Sequence, residues 1–392
     1  MKKKVMITAL ALALTMGCAN ATTVTGATQN GHTYTVSPEK INANVGYRNY
    51  KNMTVDSGDV LNMNFSGKVK QGGKMVDKNV GTFINLVDNK VQIDGVLNTV
   101  RDGNFYAGHA IFITPKGFAV GESGVLNVGQ LHVATPSSTD YTKLIKNYGT
   151  TSGLAAINKV GNIKKDSNAD IEINGKVFAR DGVDLRGRNV TVGGDILNGV
   201  NYNKTISASD NAATLFNKLV NTSDLTASND ILIKAQKAGG ITTNEGSRII
   251  NKAEGGNVYL TNDGTKGISV DGELQAAELV RLFNKSGDLV VDEHAKLTAA
   301  TAEVSNKGKA LKMNNGSAVA ATNAYVTQAG TGELDARAAI DATNNIAVNN
   351  RTGSSMTVGG SLKADKTVAL NNYKGNMTID GYAKSEHDNM AI

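Results

Sequence analysis

The C-terminal third of the chain repeats itself at a period near 22 residues, and this limits the folds open to it more than any other feature. Six stretches begin at Val258, Val280, Ala302, Ala324, Ile346 and Val368. Most read apolar-x-apolar, a polar turn containing Asn and closing on Gly, a second alternating strand, a second turn and a strand of small residues. The turn glycines are Gly264, Gly287, Gly308, Gly330, Gly353 and Gly375, spaced 23, 21, 22, 23 and 22 residues apart. Strands this short cannot each bury a face alone. Stacked at a fixed period, each can pair in parallel with its equivalent in the next coil. A period near 22 fits a coil of three strands, with Val, Ile and Leu stacked along the axis and Asn and Gly at the corners, where both tolerate a left-handed backbone. The regular glycine spacing favours this solenoid over an antiparallel sandwich. The expected fold is therefore all-β, a right-handed parallel β-helix.

Composition agrees. The chain has no Trp and 5% aromatic residues against 43 glycines. That suits a narrow core of stacked thin layers better than one thick core.

Lys2, Lys3 and Lys4 precede the short apolar run Val5–Met16, and Ala19-Asn20-Ala21 offers an A-x-A cleavage site. This is the pattern of a secretory signal peptide over residues 1–21, with an apolar run too short to span a membrane. Cleavage would remove the only cysteine, Cys18, and three lysines, taking the formal charge from +6 to +3 (6 − 3). The exported chain would have no disulfides, and too little positive charge to suggest nucleic acid or anionic lipid as a partner. Ser207–Asn221 and Thr139–Gly149 carry helical spacing and are expected as small decorations projecting from the solenoid wall.

Three blocks ahead of the repeats carry a family resemblance: YRNYKNMTVDSGDVLNMNF (Tyr47–Phe65), TFINLVDNKVQIDGVLNTV (Thr82–Val100) and IFITPKGFAVGESGVLNVGQLHVAT (Ile111–Thr135). In this order they resemble the N-terminal secretion domain of two-partner secretion exoproteins, the filamentous haemagglutinin-like and leukotoxin-like adhesins. The likeness covers residues 47–141. It departs at one place: the family writes Asn-Pro-Asn-Gly where this chain has Thr114-Pro115-Lys116-Gly117. Pro115 and Gly117 keep the fixed φ and the permissive corner, while the two Asn side chains are lost.

The resemblance implies an exported surface protein of adhesin type, carried across the outer membrane by a separate β-barrel transporter. By the same resemblance Thr114, Pro115, Lys116, Gly117, Asn127 and Gly129 form the recognition motif. A cytolysin of the same secretion family, or a β-helical polysaccharide lyase or hydrolase, are the alternatives. The expected organisation is a signal peptide (1–21), cap strands (22–67), a secretion-domain β-helix (68–206), a helical insertion with irregular coils (207–257) and regular repeats (258–392). Met390 stands 22 residues after Val368, so a further coil is expected to follow in a longer natural chain.

Catalysis has weak sequence support. Asp271, Asp292 and Asp380 recur at the second turn of three coils, but Asp is a common turn former. Ser123 in VGESGVL reads as a corner, because no strand-to-helix elbow follows it. His32, His109, His132, His294 and His387 show no i, i+4 pair, which leaves a zinc site without local support. The expectation is a protein with no enzymatic activity, cofactor or metal.

Overall fold

In the computed structural model, which describes residues 21–150, 153–154, 157, 167–387 and 390–391, the chain winds into a parallel β-helix with three faces. The signal segment through Asn20, including Ala19, lies outside the described residues. One regular coil shows the plan. Asn257–Asn262 forms a first-face strand, Gly267–Val270 a second-face strand and Glu273–Ala276 a third-face strand. Each pairs in parallel with its counterpart in the coils before and after.

The register is the one the sequence repeat requires. Val258 sits against Val280, Val280 against Ala302, Ala302 against Ala324, Ala324 against Ile346, Ile346 against Val368 and Val368 against Met390. The second face is a 13-stranded sheet. The first and third faces merge into one 26-stranded sheet, because Lys296–Asn306, Ala318–Gln328 and Ala339–Asn350 run through the corner between them without a break. Alternation explains the core: in Asn257–Asn262, residues Val258, Leu260 and Asn262 are buried while their neighbours are not.

The aromatic residues are concentrated early. Tyr50, Phe65, Phe83, Phe112 and Phe118 fill the axis of the first coils, with Phe65 and Phe83 edge to face at 5.8 Å. The later coils hold only aliphatic layers. At the N-terminal end, Thr23–Val24 pairs antiparallel with Met53–Val55, and Thr28–Asn30 with Thr33–Val36. Lys40–Asn42 pairs antiparallel with Val45–Tyr50. These cap strands satisfy the backbone of the first coil, which Val45–Tyr50, Met53–Val55 and Val60–Asn64 already build. Ser66–Gln71 and Lys74–Asn79 leave the coil as a separate antiparallel hairpin.

The corners correct one expectation. Among the described residues no asparagine has a positive φ, and of the six turn glycines only Gly287 and Gly375 do. The asparagines work through their side chains instead. Asn262, Asn284, Asn306, Gln328 and Asn350 point inward and are fully buried at one corner. Asn262 donates to Asn284 at 2.7 Å, Asn284 to Asn306 at 2.8 Å, Asn306 to Gln328 at 2.9 Å and Asn350 to Asn372 at 2.7 Å. At Gly308 and Gly330 the cause is close approach: an added Cβ would run into the backbone of the preceding coil's corner.

The helical insertions correct another. Ser138–Asn147 is capped by Ser137, and Ala212–Val220 by Asn211. Neither projects from the wall; both lie on it as covers. The first insertion seals outward apolar residues of the first face, burying Tyr47, Ile84, Leu86 and Ile113 with Tyr141 and Tyr148. The second seals the third face, burying Val96, Val125, Phe178, Leu197 and Ile250 with Phe216 and Leu219. The early strands are apolar on both sides, and an uncovered apolar wall would cost about 25 cal/mol for every Å² left in water.

Candidate functional site

The Thr114–Gly117 segment turns the chain from the first face to the second, between His109–Ile113 and Phe118–Val120. Thr114 is fully buried; its Oγ1 donates to the Asn89 carbonyl at 2.9 Å and accepts from the Lys116 N–H at 3.3 Å. The hydroxyl therefore serves as the corner anchor. Pro115 and Gly117 are buried and Lys116 is exposed. Gly117 has φ +104°, and an added Cβ would lie 2.8 Å from the Asp170 carbonyl of the next coil. Only glycine holds that conformation without strain.

Asn127 lies on the third face, in Val125–Val128, and points outward rather than into the core. Its Nδ2 donates to Asn98 Oδ1 and to the Lys204 carbonyl, both at 2.9 Å. Asn98 in turn donates to the Ile206 carbonyl and accepts from the Ile206 N–H. The two asparagines thus clamp the irregular segment that leads into the second insertion onto the wall. Gly129 is buried, and the backbone of Ala107 leaves no room there for a side chain. Of the six motif residues, five close and brace the coil, and only the Lys116 side chain stands in solvent.

The first insertion is strapped to the cap as well as to the wall. Tyr141 Oη donates to Asp88 at 2.9 Å, Tyr148 Oη donates to Glu39 at 3.1 Å, and Lys40 Nζ donates to the Tyr148 carbonyl at 3.0 Å. On the second insertion, Phe216 packs against Phe178 at 6.1 Å and lies under the Arg248 guanidinium at 4.2 Å. Arg248 also forks onto Asp195, which Lys176 contacts from the other side at 2.8 Å.

Beside the motif, two imidazoles on neighbouring strands of the first face meet edge to face. The His109 and His132 rings are 6.4 Å apart, and His132 Nδ1 is 3.3 Å from Asp184. Burial, and then the neighbouring His132, push His109 down to about 4 despite the opposing pull of Asp184. Its Nε2 is buried without a hydrogen-bond partner. Burial by itself would raise Asp184, but hydrogen bonds from His132 and Arg186 outweigh it and hold the carboxyl below its ordinary value.

Asp271, Asp292 and Asp380 occupy one corner column, in register through Val270, Val291, Met313, Ala336, Val358 and Ile379. They do not converge. Asp292 accepts from Ser269 and Asn314, while Asp380 lies 3.7 Å from Arg337. Asp380 is five coils beyond Asp271, about 24 Å at ~4.8 Å per coil. Ser123 is an exposed corner residue whose Oγ donates to the Asp94 carbonyl at 2.7 Å. Asp271 instead meets His294, a pairing invisible to an i, i+4 search because its partners are 23 residues apart.

No protein-family profile matches the chain, and no curated relative does. A solved structure with some similarity is the HMW1 secretion domain from Haemophilus influenzae, 14% identical, covering 95% of this chain and 98% of that one at a TM-score of 0.33. So distant a likeness adds no support to the fold described above. Among the described residues no helix is long and apolar enough to cross a membrane.

Proposed function

We propose that this chain is an exported surface protein of adhesin type, passed across the outer membrane by a partner β-barrel transporter that engages its N-terminal region. The carrying observation is the way the molecule is closed. A cap seals the first coil, and from there the strands of the three faces pair in parallel with those of the coils beside them. Such a stack can grow coil by coil as a chain emerges from a pore, without waiting for a distant segment. The three ordered sequence blocks supply the link to two-partner secretion, and the absence of cysteine after residue 18 suits threading.

In this reading the Thr114–Gly117 corner and the Asn127 clamp act while the coil is closing. Their buried groups are accessible to a transporter only in the unclosed chain, and Lys116 alone remains exposed afterwards. The long outer wall then presents a binding surface, with no catalytic step. The test is extracellular yield in cells with and without the transporter. Secretion independent of it refutes the reading, as does glycan depolymerisation that is lost when Asp271, Asp292 and Asp380 are changed to Ala.

A further inference from the structure

The corners between the second and third faces are not all the same length. Asn244–Ser247 and Asp292–Ala295 each place four residues between their strands, whereas the intervening coil uses only Asp271 and Gly272. The strands that follow stay in register, Arg248 against Glu273 and Glu273 against Lys296. The two long corners therefore overhang the short one from either side. Glu245 reaches in from one side and His294 from the other, over Asp271.

The donor atoms of Glu245, Asp271 and His294 lie within 4.8 Å of one another. His294 Nδ1 is 3.2 Å from Asp271 Oδ1, and the same oxygen accepts the His294 backbone N–H at 3.1 Å. His294 Nε2 is 3.8 Å from Glu245 and 3.8 Å from Glu293. Three carboxylates thus surround one imidazole, and among the described residues none of the three forms a salt bridge with Lys or Arg. Elsewhere on the wall some acids are matched by cations, as Asp195 is by Lys176 and Arg248, whereas the nearest basic group to these three is the imidazole itself.

We propose that Glu245, Asp271 and His294 form a surface site for a zinc-class divalent cation, clamped across three successive coils. The imidazole decides the class: nitrogen with carboxylate oxygen suits zinc and its neighbours, whereas calcium and magnesium take oxygen alone. The 3.2 Å between His294 Nδ1 and Asp271 is a hydrogen-bond distance that needs to open only slightly, to about 3.4 Å, for both donors to sit about 2.0–2.2 Å from one tetrahedral ion, with His294 ligating through Nδ1. Three donors leave at least one position open to water, and Glu293 adds negative charge beside it. A bound ion would pin neighbouring coils together in the middle of the stack.

The full exported chain, stripped with a chelator, is titrated with Zn²⁺ by calorimetry and with Co²⁺ by visible absorption. One equivalent should bind, with a cobalt spectrum showing nitrogen ligation. His294→Ala should abolish that binding, and Glu245→Gln, which removes a charged ligand, should weaken it by at least the roughly 10–100-fold that loss of a mere supporting group costs. His387→Ala, at an exposed histidine far along the stack, should leave it unchanged. Far-UV circular dichroism checks that every variant remains folded. The assignment is overturned by no stoichiometric Zn²⁺ binding, by binding that survives His294→Ala, or by Ca²⁺ competing as well as Zn²⁺.

Discussion

Replacing Asn284 with Ala tests whether the buried corner ladder holds neighbouring coils together. Asn284 accepts from Asn262 at 2.7 Å and donates to Asn306 at 2.8 Å and to the Gly287 carbonyl at 3.2 Å. No partner is orphaned by the change. Asn262 still donates to the Gly264 carbonyl, Asn306 Oδ1 still accepts from the Gly308 N–H, and the Gly287 carbonyl still accepts from the Lys309 N–H. The loss is therefore three net hydrogen bonds at about 1 kcal/mol each, or about 3 kcal/mol in total. In a stack coupled only to its neighbours that loss is local. Hydrogen exchange in residues 258–310 should speed up about 100-fold, since each 1.4 kcal/mol is tenfold, while residues 340–372 change little. Asn284→Asp should do more, because a carboxylate would face the Asn306 and Gly287 oxygens that now accept its N–H. Asn349→Ala is the control: it loses only the bond from Asn371, outside the core. The reasoning fails if Asn284→Ala exchanges no faster than Asn349→Ala.

Three other perturbations follow from the same structure. His109 is held at about 4 in the folded chain against 6.5 ordinarily. The unfolded chain therefore takes up the proton first, and the stabilisation present above pH 6.5 is lost as pH falls toward 4. After discounting for partial exposure, about 2 kcal/mol should disappear between pH 7.5 and 4.5; His109→Gln should remove most of that slope, and an unchanged slope in the denaturation midpoint counts against the argument. Phe216→Ala should cost about 3–5 kcal/mol locally and undock the second insertion. Trypsin should then cut at Lys204 or Lys218 while the coils stay protected, and a wild-type digestion pattern would show that the helix does not need this anchor. Gly117→Val combines a strained left-handed backbone, at about 1–3 kcal/mol, with collision against Asp170; the signal peptide should still be cleaved and secretion should fall, whereas normal secretion would remove the corner from the account.

The repeat was legible because a coil of constant length converts sequence spacing directly into contact. Val258, Val280 and Ala302 are neighbours for the same reason that they are 22 apart. The early coils were harder to read, since insertions break the period there. Even so, Thr82–Val87 carried a usable signal: Ile84 and Leu86 are apolar at the positions that alternate with core-facing Phe83 and Val87, which suits a strand covered on both sides, and the structure buries five consecutive residues there. The role of asparagine was misread because propensity describes a residue's own backbone. The ladder depends on side chains meeting one coil away, as Asn262 and Asn284 do. His294 escaped notice for a related reason: in this fold the equivalent of a helix's i, i+4 spacing is one coil.

In the proposed function, the N-terminal coils direct passage through a partner transporter. The most direct test compares extracellular yield of the intact chain with that of a chain lacking residues 47–135, both expressed with the transporter and both checked for signal-peptide removal. The intact chain should reach the medium, while the shortened chain should be processed but retained in the periplasm. Equal extracellular yield from both would contradict the proposal.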